Sequence, residues 1–137
     1  MKTSATTRKK PRKLKTLVRL ADEVHSKYVR LKETENGCGV CVSCGEVKPY
    51  DKLDCGHFVG RSFMSTRYWD KNTHIQCISC NRFHEGAKDE YALWLIKKYG
   101  VGIIEELNKK KREIKQWEPH ELEELIKDRR AKIKELN

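Results

Sequence analysis

Two cysteine pairs, Cys41-x-x-Cys44 and Cys77-x-x-Cys80, constrain this chain more than any other feature. A two-residue spacing lets both thiolates of one tight turn reach the same tetrahedral ion while backbone N–H groups face the sulfurs. Two such turns complete a closed four-sulfur set, the chemistry of a structural Zn²⁺ site. Cys38-x-x-Cys41 offers a competing first half. Gly45, directly after Cys44, favours the later pair, because glycine relieves crowding in a tight metal-binding turn. Cys38 and Cys55 are left over and read as small buried hydrophobes. The opening residues, MKTSATTRKKPRKLK, lack the apolar stretch of a secretory signal. A cytosolic, reducing compartment is therefore expected, where six cysteines point to metal rather than to disulfides.

A metal also answers a shortage of core. Of 137 residues, 37% are hydrophobic and 36% charged, against about 45% apolar in an average domain. A bound ion supplies folding energy that a thin core does not. No run of about eighteen apolar residues exists, so a membrane span is excluded. The formal charge is +10, and it is unevenly placed. Residues 1–20 hold Lys2, Arg8, Lys9, Lys10, Arg12, Lys13, Lys15 and Arg19 and no acid. A block of like charge repels itself until a polyanion neutralises it. Nucleic acid is the obvious polyanion, bound with a steep salt dependence.

The chain divides into four parts on pattern. Residues 1–13 read as a disordered basic arm, with Arg8, Lys9, Lys10, Arg12 and Lys13 as DNA contacts. Residues 14–36 read as an amphipathic helix, since Leu14, Leu17, Val18, Ala21, Val24, Tyr28 and Leu31 recur every three or four positions and Asn36-Gly37 ends the run. Residues 37–100 form the cysteine-bearing core, with short strands expected over Lys52–Phe58 and Thr73–Gln76. A second helix is expected from about Asn81, burying Tyr91, Trp94, Leu95 and Tyr99 and stopping at Gly100. Residues 101–137 read as a helical extension: one helix on Ile103, Ile104, Leu107 and Ile114, and another opened by Pro119. The fold class is α+β, a small zinc-stabilised core flanked by helices.

The chemistry-bearing residues lie between and just after the cysteine pairs. Asp54-Cys55-Gly56-His57-Phe58 falls on the first expected strand of the core. Asn72 precedes Cys77, Asn81 follows Cys80, and His84 stands three residues beyond Asn81. Residues three apart on a helix share a face, so Asn81 and His84 are expected to point at one spot. Oxygen and imidazole ligands with open positions suit Mg²⁺ or Mn²⁺. Closure of the zinc site would draw that helix start against the strand bearing His57. Asp54 is a further candidate ligand, although on a regular strand it and His57 point to opposite faces unless a bulge intervenes.

In this order, Cys41-x-x-Cys44, Gly56-His57-Phe58, Asn72 and Cys77-x-x-Cys80-Asn81 resemble the HNH group of ββα-metal nucleases. More closely, LDCGHFVGRSFMSTRYWDKNTHIQCISCNRF resembles the bacteriophage NinG (Rap) recombination-endonuclease family over about residues 38–99. That resemblance implies an HNH-like core and DNA cleavage at branched recombination intermediates, such as Holliday junctions and D-loops, in the cytoplasm of a bacterial host. Two positions depart from the common HNH pattern. Gly56 stands where many members carry a metal-binding Asp or His, and Asn81 stands where the signature ends in histidine.

Metal-assisted phosphodiester hydrolysis is the expected reaction. His57 would act as general base toward the attacking water, with Mg²⁺ or Mn²⁺ on Asn81 and His84 or Asp54. Asn72 would fix the loop and strand around His57. Arg61, Arg67 and Arg82 would clamp flanking phosphates. Phe63, Tyr68 and Trp69 either pack beneath the loop or stack on a distorted base. Leu122, Leu125, Ile126, Arg129, Ile133 and Leu136 fit a seam with a second copy, as in a homodimer on a two-fold junction, and equally a core-facing helix in a monomer. A recombinase is a further partner compatible with such a role. The rival reading is a zinc-stabilised DNA-binding protein without catalysis, which has no use for His57 and Asn81 together.

Overall fold

The computed structural model describes residues 12–137, so Arg8, Lys9 and Lys10 of the basic arm lie outside the described residues. The architecture is mixed α+β. Helix α1 (Leu14–Lys32) leads into an antiparallel ribbon of β1 (Cys38–Val40) and β2 (Val47–Pro49). A second antiparallel ribbon pairs β3 (Leu53–His57) with β4 (Thr73–Cys77). Helices α2 (Lys88–Tyr99), α3 (Ile103–Lys111) and α4 (Pro119–Leu136) follow. Among the described residues no helix is long and apolar enough to cross a membrane.

The stripe on α1 buries Leu17, Ala21, His25, Tyr28 and Val29. The helix stops before Asn36-Gly37 because Glu33 turns inward instead. Its carboxylate accepts from His74 Nδ1 at 2.6 Å and from the Ile75 N–H at 2.8 Å, tying the helix end to β4. Asn36 and Gly37 then take positive φ in the turn into β1. Helix α4 begins with Pro119, and the Glu121 carboxylate caps the Glu118 N–H at 2.9 Å. Its Leu122, Ile126, Arg129 and Ile133 are buried. They are spent within the chain: Leu122 and Ile126 pack with Leu17, Ala21 and Tyr68, and Ile133 packs with Tyr28, Val29, Leu53 and Ile75. Leu122, Ile126 and Ile133 thus face the chain's own core, while Leu136 at the end of the same helix is 47% exposed.

A separate cluster of Val42, Val59, Tyr91, Leu95, Ile103 and Leu107 lies under α2 and α3. Two expectations fail at this end. Helix α3 ends at Lys111, which leaves Ile114 94% exposed. Helix α2 begins at Lys88 rather than near Asn81, after a single π turn over Ser79–Phe83. Of the aromatic residues in the 58–72 loop, Tyr68 is buried edge-on to Trp117 and Trp69 packs on the α2–α3 cluster, while Phe63 is exposed.

Candidate active site and metal centre

The four-cysteine centre forms where the β1–β2 turn meets the end of β4. The ligand sulfurs of Cys41, Cys44, Cys77 and Cys80 all lie within 4.8 Å of one another, and Cys44 Sγ is 3.8 Å from Cys77 Sγ. A tetrahedral ion with Zn–S bonds of about 2.3 Å separates its sulfurs by about 3.8 Å, so the set fits zinc. In each knuckle the second cysteine's N–H points back at the first sulfur, Cys44 to Cys41 and Cys80 to Cys77, both at 3.5 Å. Gly45 has a φ of +79° and donates to the Cys41 carbonyl at 2.9 Å, the conformation that selects glycine there. Cys38 lies outside this set and is exposed, not buried. The four cysteines could hold a structural metal such as zinc, which would tie the two ribbons and the π turn together.

The π turn that grows out of Cys80 carries the next part of the site. Asn81 Nδ2 donates to Asp54 Oδ2 at 3.0 Å. Arg82 grips the same carboxylate with two bonds of 2.9 Å, Nε to Oδ2 and Nη2 to Oδ1. Asp54, Cys55, His57, Asn81 and Arg82 line one open cleft of about 510 Å³, with Asp22, Ser26 and Arg61 on its other side. His57 and Asp54 reach it together without a bulge, since the β3–β4 register is continuous from Leu53↔Cys77 to His57↔Thr73. The cleft takes lining from β3 and none from β4. It follows the free edge of a two-stranded ribbon, where strong twist brings both faces of a strand toward one side.

His57 is held in a single tautomer. Its Nε2 lies 2.9 Å from the Arg67 carbonyl oxygen, which can only accept, so Nε2 carries the proton and Nδ1 the lone pair. Burial, chiefly, lowers its pKa to about 4, against the raising effect of that carbonyl and with the help of Arg61. The imidazole is therefore neutral at pH 7. The strand end that bears it is clamped on three successive carbonyls. Tyr91 donates to Gly56 O at 2.8 Å, and Lys88 Nζ donates to both His57 O and Phe58 O, the latter at 2.6 Å. Desolvation lowers the pKa of Lys88. Cys55, also in the cleft, is half-buried rather than buried, and its thiol is pushed up to about 12 by burial first and Glu33 second, which keeps it un-ionised at pH 7.

Several expected roles change. Asn72 is fully buried, its Oδ1 accepting from Val59 N at 2.7 Å and its Nδ2 donating to Val59 O and Thr66 O. It braces the loop behind His57, the part expected of it, and it does so from outside the cleft, whose lining does not include it. His84 is exposed beside Cys44, Cys77 and Cys80, in a different depression from Asn81. The π turn ends at Phe83 and His84 lies past it with a non-helical φ of −125°, so the three-residue spacing no longer shares a helical face. Arg67 is not a surface clamp. Its side chain is 15% exposed and its guanidinium bonds Asp22 twice, at 2.9 and 2.5 Å. Arg82 is exposed but engaged with Asp54, whereas Arg61 is 63% exposed with Asp22 no nearer than 4.0 Å. Arg12 pairs with Glu123 at 3.3 Å, and Lys13 stands at the N-cap of α1. Two further residues stand at the site, Asp22 in the cleft wall and Lys88 on the strand-end carbonyls. Neither carries a local motif, and each reaches the site only through tertiary packing.

The fold and the site define a small α+β protein with a four-cysteine centre and a cleft built from a histidine, a carboxylate and a carboxamide. The chain belongs to the NinG family: the family model described as "NinG: Bacteriophage Lambda NinG protein" matches residues 2–137. It is similar to protein ninG of Salmonella phage P22, at 26% identity over 97 residues, covering 70% of this chain and 47% of that protein. The chain thus spans about half the length of the curated relative it matches. No solved structure matches it.

Proposed function

We propose that this chain is a metal-dependent DNA endonuclease with an HNH-like core, hydrolysing phosphodiester bonds in branched recombination intermediates such as Holliday junctions or D-loops. One observation carries the reading: His57, with its lone pair fixed on Nδ1, shares a single cleft with Asp54 and Asn81. A neutral imidazole backed by a carbonyl accepts a proton from an attacking water at Nδ1. Asp54 and Asn81 supply oxygen ligands of the kind that Mg²⁺ or Mn²⁺ prefers. Such an ion, when bound, neutralises charge on the phosphate. Arg61, at the cleft edge, binds a flanking phosphate, and Arg82 does so once released from Asp54. The basic residues before α1 add a salt-sensitive grip on DNA of any sequence.

The test is digestion of a labelled Holliday junction, a D-loop and a linear duplex side by side, with Mg²⁺ or Mn²⁺. Parent protein should nick the branched substrates, and His57→Ala should lose about 100-fold or more of that rate while binding DNA as before. His57→Ala cutting at the parental rate would reject the assignment. Tight DNA binding with no cutting in either metal would favour the other reading, a zinc-stabilised DNA-binding protein.

A further inference from the structure

Arg67 joins two groups that are far apart along the chain. Its guanidinium donates Nε and Nη2 to the two oxygens of Asp22 on α1 and Nη1 to the Arg61 carbonyl at 2.8 Å. Its own carbonyl accepts the Nε2 proton of His57 at 2.9 Å. With these donors engaged and the side chain 15% exposed, the residue is shut away from phosphate. The next residue is anchored as well, since Arg129 donates to the Tyr68 carbonyl at 3.0 Å. The peptide that faces His57 is therefore fixed from α1 on one side and from α4 on the other.

We propose that Asp22 is a positioning residue of this site: by gripping the Arg67 guanidinium it holds the Arg67 carbonyl on His57 Nε2 and so keeps the basic lone pair on Nδ1. The inference rests on the reading of His57 as general base. It extends the site to α1, a helix outside the strands and cysteine turns that carry the chemistry. Loss of the two-pronged grip frees the 61–67 loop to rotate the carbonyl away, and the imidazole then samples its other tautomer. The same grip steadies the backbone of Arg61, the exposed cation at the cleft edge.

Two measurements on zinc-loaded full chain test this. Long-range ¹H–¹⁵N spectra of the histidine side chains report the tautomer without any cleavage. The parent should show His57 protonated on Nε2, and Asp22→Asn should show a mixture. Single-turnover cleavage of a Holliday junction with Mn²⁺ should slow about 10- to 100-fold in Asp22→Asn, with DNA affinity held within about twofold. Asp22→Glu, which restores a two-pronged partner, should recover both signals. If Asp22→Asn does not fold, Arg67→Lys carries the same expectation, because a lysine gives one contact where the guanidinium gives two. An unshifted tautomer in a folded variant overturns the proposal. A rate change that comes only from tighter DNA binding, the simple effect of removing a negative charge, overturns it too. If the parent cuts no DNA, the nuclease reading falls, and the spectra still decide whether Asp22 sets the tautomer.

Discussion

Gly56 shows how one atom decides what a position can do. A Cβ placed there would lie 2.0 Å from Gln76 Oε1 and 2.6 Å from its Cδ. The Gln76 side chain is held in place, its Nε2 donating to Ser43 Oγ at 2.8 Å and Gly86 O at 2.7 Å. Any side chain at position 56 would therefore have to displace Gln76 from these bonds, and Asp54 is the carboxylate that reaches the cleft. Gly56→Ala should cost roughly 1–3 kcal/mol of stability, the usual penalty for overpacking a filled interior; urea unfolding of the two proteins would read this, and equal midpoints would contradict it. The sequence made His57, Asp54 and Asn81 visible, because residue type and order along the chain single them out. It could not separate Arg67 from Arg61. Both lie in the same loop, and only the fold buries one against Asp22 and leaves the other 63% exposed.

At the scale of the element, the cysteine knuckles were legible because their geometry is local. Spacing and the following glycine suffice to choose Cys41/Cys44 over Cys38/Cys41. The turn after Cys80 was not legible, because a π turn differs from an α-helix by one extra residue and the sequence carries no mark of it. That turn is where Asn81 and Arg82 both come to face Asp54. Cys80 lies at its start, so a metal held by the four cysteines would brace the cleft as well. The chain should hold one Zn²⁺, and strong chelation should abolish the cooperative melt, since a structural zinc site contributes on the order of 10 kcal/mol. Elemental analysis with circular dichroism would measure this. Cys77→Ser should behave like the chelated protein, and a Cys77→Ser chain that keeps both its zinc and its melting point would refute the assignment.

At the scale of the whole molecule, a buried polar network binds α1, α4, β4 and the 58–72 loop. Arg129 Nε donates to His25 Nδ1 at 3.1 Å, so the His25 proton sits on Nε2 and is given to Thr73 Oγ1 at 3.0 Å. Burial first, and Arg129 second, lower the pKa of His25 to about 3. The folded chain thus resists protonation that the unfolded chain accepts near pH 6.5. The unfolded state binds more protons below that pH, so stability is complete above about 6.5 and falls as the pH drops toward 3. His57, lowered to about 4, acts in the same sense. Each should contribute a slope of about 1.4 kcal/mol per pH unit at its steepest. Urea midpoints between pH 7 and 5 would show the decline, and a flat profile there would argue against buried neutral imidazoles. Periodicity revealed both outer helices and the apolar residues on them. It did not reveal that their polar members, His25 and Arg129, would find each other across 104 positions.

That separation has a kinetic side. Leu17 packs with Leu122 and Tyr28 with Ile133, so α1 and α4 run side by side in the same direction. Contacts between remote stretches form slowly because a large loop must close first. During translation, α1 can pack on Leu53, Tyr68 and Ile75 once those have emerged, but Leu122, Ile126 and Ile133 complete its cover only when α4 follows. The Tyr68 carbonyl, beside the peptide that orients His57, lacks its Arg129 donor until then. The cleft is therefore expected to mature last, after the knuckles have already closed.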